Sequence, residues 1–143
     1  MTISAMMGGA GHAVFTASQS ESVGEVVVRL AEHRIGALPV VEDGAVVGIF
    51  SERDIVYGVA KHGSAFLAKT VGEVMTSPAI TVTADTPILS ALSMMTKRRI
   101  RHLPVVENNR LTGFVSIGDL VKYRIEKIES EAAAMRNYIS MAY

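Results

Sequence analysis

The sequence predicts an α/β fold made of two copies of a β-α-β-β-α unit and a long C-terminal helix. The chain resembles itself at an offset of 65 residues within a length of 143, and internal repeats usually correspond to repeated structural units. Each copy contains two short apolar strands joined by a tight turn and followed by a helix-start signal. A content of 49% apolar and 20% charged residues indicates a folded chain and excludes intrinsic disorder.

The repeat is strongest between residues 35–56 and 100–121, where 10 of 22 aligned positions are identical. The identical pairs are Ile35/Ile100, Leu38/Leu103, Pro39/Pro104, Val40/Val105, Val41/Val106, Glu42/Glu107, Gly48/Gly113, Ser51/Ser116, Asp54/Asp119 and Val56/Val121. Chance does not produce agreement of this extent. Because domains of about 60 residues are only marginally stable alone, the two copies are expected to pack against each other.

Each copy is expected to open with a short β run, at residues 14–17 or 79–82, that leads into a helix at 22–34 or 88–99. The apolar residues at core-facing spacing are Val23, Val26, Val27 and Leu30 in the first helix and Ile88, Ala91, Leu92 and Met95 in the second. Asp85 and Thr86 are expected to cap the second helix, and Pro87 suits its first turn because the missing N–H costs nothing there.

Two strands follow in each copy, at residues 38–41 with 46–50 and at 103–106 with 111–115. Asp43-Gly44 and Asn108-Asn109 tolerate the positive φ that a tight hairpin turn requires. Pro39 and Pro104 cannot donate to a strand ladder, so each is expected at a strand start or a sheet edge. A connector at residues 63–70 and one helical turn at 71–75 are expected between the copies.

A Ser-x-x-Asp motif lies where the last strand of each copy meets the next helix, at Ser51–Asp54 and Ser116–Asp119. One interpretation is a capping box, in which serine and aspartate satisfy free N–H groups at the helix start. The other is an anion site, because the same N–H groups and the helix dipole attract negative charge. The two interpretations are compatible, and the carboxylate could also accept hydrogen bonds from a ribose diol.

The doubled segment h-x-x-L-P-V-V, a hairpin and G-h-h-S-x-x-D resembles the tandem CBS-domain pair, or Bateman module, of the free-standing bacterial type. Val74-Met75-Thr76 is similar to the V-M-T that often opens such a repeat, and the resemblance covers residues 10–126. It implies two repeats about a pseudo-twofold axis, with two clefts that bind adenosine-containing ligands. The expected divisions are repeat 1 with an N-terminal lead at 1–69, repeat 2 at 70–126 and a helical tail at 127–143.

The resemblance also implies which residues line the clefts, each of which mixes side chains from both copies. Cleft A would use Ser51, Arg53, Asp54, Ala79, Ile80, Ile100, Arg101, His102 and Pro104. Cleft B would use Val14, Phe15, Ile35, Gly36, Ala37, Pro39, Ser116, Gly118 and Asp119. By the same resemblance, Asp54 and Asp119 would hold ribose hydroxyls. In cleft A the adenine would contact Ile80, Ile100 and Pro104, and the phosphate would contact Arg53, Arg101 and His102.

The two clefts differ at the matched positions, because Gly118, Gly36 and Ala37 stand in cleft B where cleft A has Arg53, Arg101 and His102. Arginine forks favour phosphate. We therefore expect cleft A to prefer a 5′-phosphorylated nucleotide such as AMP. Cleft B would hold a less charged adenosyl group, or a larger ligand whose phosphates reach elsewhere. ATP, NAD(H) and S-adenosylmethionine remain alternative ligands.

Other function classes are disfavoured by composition and spacing. The net charge is zero and no cysteine is present, which removes disulfides and thiolate chemistry. The basic run at residues 97–101 ends a helix and lacks interleaved aromatic residues, so we expect no nucleic-acid partner. No metal-ligand spacing connects the four histidines, which are His12, His33, His62 and His102. No G-x-S-x-G elbow supports a triad of Ser51, Asp54 and His102, so no catalysis is expected.

The first 20 residues carry no Asp, Glu, Lys or Arg, but glycines and polar residues interrupt them, so they predict neither a signal peptide nor a membrane span. We expect a cytoplasmic protein with no membrane association. At the other end, heptad spacing relates Val121, Ile125, Ile128, Ala132, Met135 and Ile139.

This seam favours packing against a second copy over a helix folded back on its own core. The function expected is therefore a homodimeric adenosine-nucleotide sensor of energy state, with no effector domain attached, that signals to an unknown downstream protein. A structural dimerisation module with vestigial clefts is the alternative of a different class.

Overall fold

The hairpins of the two copies join into a four-stranded antiparallel sheet of order β1-β2-β4-β3. The structure is a computed structural model that describes residues 1–8 and 13–142. Its strands are β1 Ala37–Glu42, β2 Ala45–Ser51, β3 His102–Glu107 and β4 Arg110–Ser116. Its helices are α1 Ile3–Met7, α2 Val23–His33, α3 Glu52–His62, α4 Val71–Val74, α5 Ile88–Arg98 and α6 Ile117–Ala142, with a 3-10 helix at Gly63–Ala68. None of the helices in the described part of the chain is long and apolar enough to span a membrane.

Both predicted hairpins are confirmed, and their turns have the backbone that the sequence requires. Asp43 and Gly44 have φ of 51° and 82°, and Asn108 and Asn109 have φ of 50° and 64°. Asp, Asn and Gly are the residues that tolerate these values. The hairpins meet beside their turns, where Ala45 pairs with Arg110 and Leu111 N donates to Gly44 O at 3.2 Å. Each strand of the first copy has its counterpart at the mirrored position of the sheet, β1 opposite β3 and β2 opposite β4. This is the order that a pseudo-twofold axis between the copies requires.

The β runs expected at residues 14–17 and 79–82 are reduced to single bridges, in which Ala17 pairs with Val40 and Val82 with Val105. Ala17 N donates to Pro39 O at 3.1 Å, and Val82 N donates to Pro104 O at 3.0 Å. Both prolines lie in edge strands, as predicted. Because proline has no N–H, it offers this edge a carbonyl only, which restricts further pairing.

The expected capping of α5 by Asp85 and Thr86 is wrong. The N-cap is Pro87 and no side chain caps the helix. Instead, Ile88 N donates to Met1 O at 3.2 Å, and Ile3 N donates to Thr86 O at 3.0 Å. The first N–H group of α5 is therefore satisfied by the N-terminal segment. The residues around the helix start do not indicate this contact.

The two copies exchange their first helices. Ile3 of α1 is fully buried in the core of the second copy, among Val82, Ile88, Leu103 and other residues. Val71 of α4, the first helix of the second copy, is fully buried in the core of the first. The division at residues 69 and 70 stays a prediction, but each core takes a helix from across that boundary. The predicted core faces of α2 and α5 are confirmed, with Val27 and Leu92 partly buried at their margins.

Two methionines cover matched glycines of the sheet. Met75 lies over Gly48, and Met7 lies over Gly113. A Cβ on Gly48 would lie 2.6 Å from Met75 Sδ and 2.9 Å from the Thr76 carbonyl. That carbonyl is fixed, because Thr76 and Ile49 exchange two backbone hydrogen bonds of 2.9 Å. The chain entering the second copy is thus held directly against β2.

Gly48→Ala is expected to lower the free energy of unfolding by about 1–3 kcal/mol, the usual cost of overpacking a tight site. Gly118→Ala is the matched control, since its Cβ would meet only Ser116 Oγ at 3.6 Å. The control is expected to be neutral or slightly stabilising because alanine favours helix. Urea unfolding checks both variants, and equal stability of the two would contradict this packing.

Candidate functional site

Each copy ends its second strand in a capping box that fixes a carboxylate at the start of the next helix. Ser51 N donates to Asp54 Oδ2 at 2.9 Å, and Asp54 N donates to Ser51 Oγ at 3.4 Å. In the second copy, Ser116 N donates to Asp119 Oδ2 at 3.0 Å and Asp119 N donates to Ser116 Oγ at 3.1 Å. The capping interpretation is confirmed at both motifs. In each case one carboxylate oxygen remains for another contact.

The cavity at cleft A has a volume of about 160 Å³ and brings residues of both copies together. Eight of the nine residues predicted for this cleft line it: Ser51, Arg53, Asp54, Ala79, Ile80, Ile100, Arg101 and His102. Pro104 does not, because it is buried within β3. The lining residues that sequence reasoning missed are Gly36, Ala37, Ile49, Glu52, Thr76 and Pro78. The ligand contacts of the predicted set stay a prediction.

Two polar contacts occupy cleft A. Thr76 Oγ1 donates to Asp54 Oδ1 at 3.0 Å, so both oxygens of this carboxylate accept hydrogen bonds. Arg101 Nη2 lies 3.9 Å from Glu52 Oε2, and both side chains are largely exposed. An exposed ion pair at this distance contributes little to stability. Arg101 can therefore leave Glu52 at small cost.

The cavity at cleft B is larger, with a volume of about 690 Å³. Seven of the nine predicted residues line it: Val14, Phe15, Ile35, Gly36, Ala37, Ser116 and Asp119. Pro39 is buried within β1, and Gly118, an exposed residue of α6, does not line the cavity. Residues that the sequence did not indicate also line it, and they are Met6, Met7, Ala13, Arg34, His102, Phe114, Val115, Lys122, Tyr123 and Glu126.

Two of these additional residues, Arg34 and Lys122, are cations. In cleft B, the positions that match Arg53, Arg101 and His102 of cleft A offer no side chain that could bind phosphate. Arg34 and Lys122 nevertheless bring two positive charges to cleft B from positions outside that match.

Arg34 and its repeat partner Arg99 both end a helix in the left-handed conformation, with φ of 52° and 54°. Only Arg34 lines a cleft, so the repeat did not indicate its position. Lys122 lies one turn after Asp119 on α6, a spacing that places both on one helix face.

His102 lines both cavities and forms part of the wall between them. Its ring stacks on Phe114 with centroids 5.4 Å apart. Burial lowers the pKa of the His102 imidazole, and the positive charge of Arg101 lowers it further, while Asp119 and Glu52 act in the opposite direction. The ring is therefore mainly neutral at pH 7 and can still donate one hydrogen bond to a ligand.

An ion pair between Arg29 and Glu21 holds the segment that forms one wall of cleft B. Arg29 Nη1 donates to Thr16 O at 2.8 Å and to Glu21 Oε2 at 3.1 Å, and Ser18 N donates to Glu21 Oε2 at 2.9 Å. The hydrogen bond from Arg29 lowers the pKa of the Glu21 carboxyl against the opposing effect of burial. These contacts tie the backbone after Phe15 to α2.

No group of three or more His, Asp or Glu side chains within residues 1–8 and 13–142 is arranged to hold a metal ion. His12, one of the four histidines considered in the sequence, lies outside the described residues.

The fold and its two clefts define a tandem pair of α-β-β-α domains, each preceded by a single β bridge, with composite cavities between the copies. The family model of the CBS domain matches residues 11–61 and 71–126, so the chain belongs to the CBS domain family and contains two such domains.

Curated relatives agree with this assignment. The chain is 36% identical over 128 residues to the mitochondrial CBS domain-containing protein CBSX3 of Arabidopsis thaliana, covering 86% of this chain and 62% of that protein. It is 32% identical over 124 residues to the CBS domain-containing protein YhcV of Bacillus subtilis, covering 87% of each. The chain thus spans less than two thirds of the plant protein and most of the bacterial one.

Solved structures share the fold. A CBS-domain-containing protein from Agrobacterium tumefaciens matches with a TM-score of 0.81 and 39% identity, covering 87% of this chain and 99% of that one. The CBS domain pair of protein MJ0100, in complex with 5′-methylthioadenosine and S-adenosyl-L-methionine, matches with a TM-score of 0.77 and 29% identity over 89% and 98% of the two chains. CBSX2 in complex with AMP matches with a TM-score of 0.71 and 27% identity over 79% and 88%.

Proposed function

We propose that this protein is a non-catalytic regulatory module that binds adenosine nucleotides in the clefts between its two CBS domains. The observation that carries the proposal is the repeated Ser–Asp capping box, which fixes Asp54 and Asp119 at the walls of two cavities. A fixed carboxylate is suited to accept hydrogen bonds from the two hydroxyls of a ribose, as in dinucleotide-binding proteins. The pocket-lining side chains supply binding and no reaction is proposed.

In cleft A the proposed ligand is AMP. Ile80 and Ile100 offer apolar surface for the adenine, while Arg53, Arg101 and His102 provide donors for its phosphate. A phosphate that takes Arg101 replaces the weak contact to Glu52, and Asp54 must exchange its bond from Thr76 for the ribose hydroxyls. The cavity has a volume of about 160 Å³, below the usual range for a bound small molecule, so AMP binding must also widen it.

The similar proteins support an adenosyl ligand as a class. CBSX2 has been solved with AMP, and the MJ0100 pair with 5′-methylthioadenosine and S-adenosylmethionine. The charge of cleft A favours AMP over S-adenosylmethionine, because arginine attracts a phosphate and repels a sulfonium. ATP and NAD(H) present the same adenosyl part with a longer phosphate chain. Sensing of energy state then requires that AMP bind two conformations of the protein with different affinity.

Arg101→Ala is expected to weaken AMP binding about tenfold, since charge-assisted hydrogen bonds to phosphate are lost. Adenosine binding should change less than about twofold because adenosine has no phosphate for Arg101 to contact. Isothermal titration calorimetry with AMP and adenosine measures both.

Arg98→Ala is the matched control, because Arg98 belongs to the same basic run but does not line cleft A. AMP affinity that is equal in the Arg101→Ala variant and in the wild-type protein would contradict the proposed phosphate site.

Homodimerisation through α6 is a second proposal, and the exposure of its apolar seam favours it. From Ile125 to Ala142 every residue except Ala133 is exposed. The seam residues Val121, Ile125, Ile128, Met135 and Ile139 are between 40% and 60% exposed, and Ala132 is also exposed. In proteins, most of the stability of a helix comes from packing of its apolar face. Packing against the same helix of a second copy would bury the seam and stabilise the helix.

Met135→Lys is expected to convert the dimer to a monomer, because it places a charge in the middle of the proposed seam. Met141→Lys is the control, since Met141 is also an exposed methionine of α6 but lies outside the heptad positions. Light scattering gives the mass of each variant. A dimer that survives both Met135→Lys and truncation after Ser130 would show that the part of α6 beyond Ser130 does not form the interface.

If a dimer forms while no adenosine compound binds, the result would favour a structural dimerisation module over a nucleotide sensor.

A further inference from the structure

Among the described residues, three line both clefts and so form the wall between them: Gly36, Ala37 and His102. Ala37 is buried and Gly36 has no side chain. The imidazole of His102 is therefore the polar side chain that the described parts of both cavities share. Its ring stacks on Phe114, a residue of cleft B, with centroids 5.4 Å apart, and this contact holds the ring in the wall.

Glu52 of cleft A lies next to the same wall. A Cβ built on Gly36 would lie 3.4 Å from Glu52 Oε2 and 3.5 Å from His102 Cε1, so the carboxylate and the ring edge border the same small space beside this glycine. The backbone holds the two elements together there, because Glu52 N donates to Gly36 O at 2.9 Å. A charge on Glu52 therefore acts on the His102 ring at short range.

The ion pair between Glu52 and Arg101 connects this wall to the phosphate site proposed for cleft A. Arg101 Nη2 lies 3.9 Å from Glu52 Oε2, and both side chains are largely exposed, so the pair is weak and can open. It joins the two copies, since Glu52 begins α3 in the first and Arg101 precedes β3 in the second. An anion that takes Arg101 leaves the Glu52 carboxylate unpaired beside the His102 ring.

Charges in both clefts act on the protonation of His102. Burial lowers the pKa of its imidazole most strongly, and Arg101 of cleft A lowers this pKa further. Asp119 of cleft B and Glu52 of cleft A raise the pKa. The other charged residues that line the cavities are Arg53 and Asp54 in cleft A and Arg34, Lys122 and Glu126 in cleft B. Negative charge added to either cleft favours the cationic ring.

We infer that His102 couples the two clefts, so that an anionic ligand in one cleft raises the affinity of the other cleft for a second anion. The link is a proton, because the first anion favours the imidazolium and the imidazolium attracts the second anion across the wall. The effect is reciprocal, as any coupling between two binding sites must be. The inference rests on the proposed function, from which it takes nucleotides as the anions.

The coupling is expected to depend on pH in one direction. Because the pKa of His102 lies below that of an ordinary histidine, the ring is largely neutral at pH 8, and the coupling is expected to disappear there. At pH 6 a bound anion can change the charge of the ring. Repulsion between the two anions opposes the effect at either pH, so the contribution of His102 is obtained by comparison with a variant that cannot be protonated.

The first test needs no ligand and follows the His102 ring by NMR during a pH titration. Glu52→Gln is expected to lower the pKa of His102 and Arg101→Ala to raise it, since each variant removes one charge from cleft A. Glu107→Gln is the control and should leave the pKa unchanged, because Glu107 ends the same strand but lines neither cleft. An unchanged pKa in both Glu52→Gln and Arg101→Ala would overturn the inference.

The second test measures AMP binding at pH 6 by native mass spectrometry. The distribution of adducts gives the ratio of the second to the first binding constant of a chain. This ratio is expected to be about fivefold higher in the wild-type protein than in His102→Gln, which keeps a hydrogen-bond donor but stays neutral. At pH 8 the two proteins should give the same ratio. His62→Gln is the matched control and should behave as the wild-type protein, since His62 is an exposed histidine outside both clefts.

The outcomes keep this inference apart from the proposed function. If two AMP molecules bind per chain with the same ratio in the wild-type protein and in His102→Gln at pH 6, only the coupling fails. A single adduct per chain also overturns the coupling, while the proposed function stands for the cleft that is occupied. If no AMP adduct forms, the proposed AMP site fails as well.

Discussion

The hydrogen bonds between Ser51 and Asp54, and between Ser116 and Asp119, are the contacts on which the architecture of both clefts depends. A strand that passes directly into a helix leaves free N–H groups at the helix start, and the serine and aspartate satisfy some of them locally. The same bonds fix the orientation of each carboxylate. One arrangement of four residues thus ends a strand, starts a helix and positions a polar group at a cavity wall.

The cavities exist because the copies are joined at a few places and not across a wide interface. β2 and β4 pair only through Ala45 and Arg110, while α1 and α4 each pack into the core of the other copy. Space remains on either side of this junction, and each cleft is lined by both copies. The repeat is symmetric in its backbone but not in its side chains, since Glu52 and Arg101 occupy cleft A while Arg34 and Lys122 line the larger cleft B. His102 borders both, so a charge bound in one cleft is close to a titratable group of the other.

Features that depend on local spacing could be predicted from the sequence. The hairpin turns at Asp43 and Asn108, the capping boxes and the buried faces of α2 and α5 all follow from residues within a few positions of one another. The start of α5 could not be predicted in this way, because its backbone acceptor is Met1 O. The packing of α1 and α4 in the core of the other copy could not be predicted either, because it depends on contacts between residues far apart in the sequence.

Most of the residues predicted for the two clefts do line them, since a repeated motif places residues from both copies at equivalent positions, but about half of the lining was not predicted. Pro39 and Pro104 do not line the cavities, because they are buried at the sheet edge, where their carbonyls accept from Ala17 N and Val82 N. Their contacts with a ligand stay a prediction. Lys122 and Tyr123 have no repeat partner of the same type, so only the three-dimensional position of α6 reveals them.

Native mass spectrometry of the full chain with adenosine, AMP and ATP at millimolar concentration tests the central claim most directly. The claim predicts nucleotide adducts that reach two per chain, and it predicts a melting temperature that rises with nucleotide concentration, because a ligand that binds only the folded state stabilises it. A spectrum without any adduct, together with an unchanged melting temperature for all three compounds, would contradict nucleotide binding between the two domains.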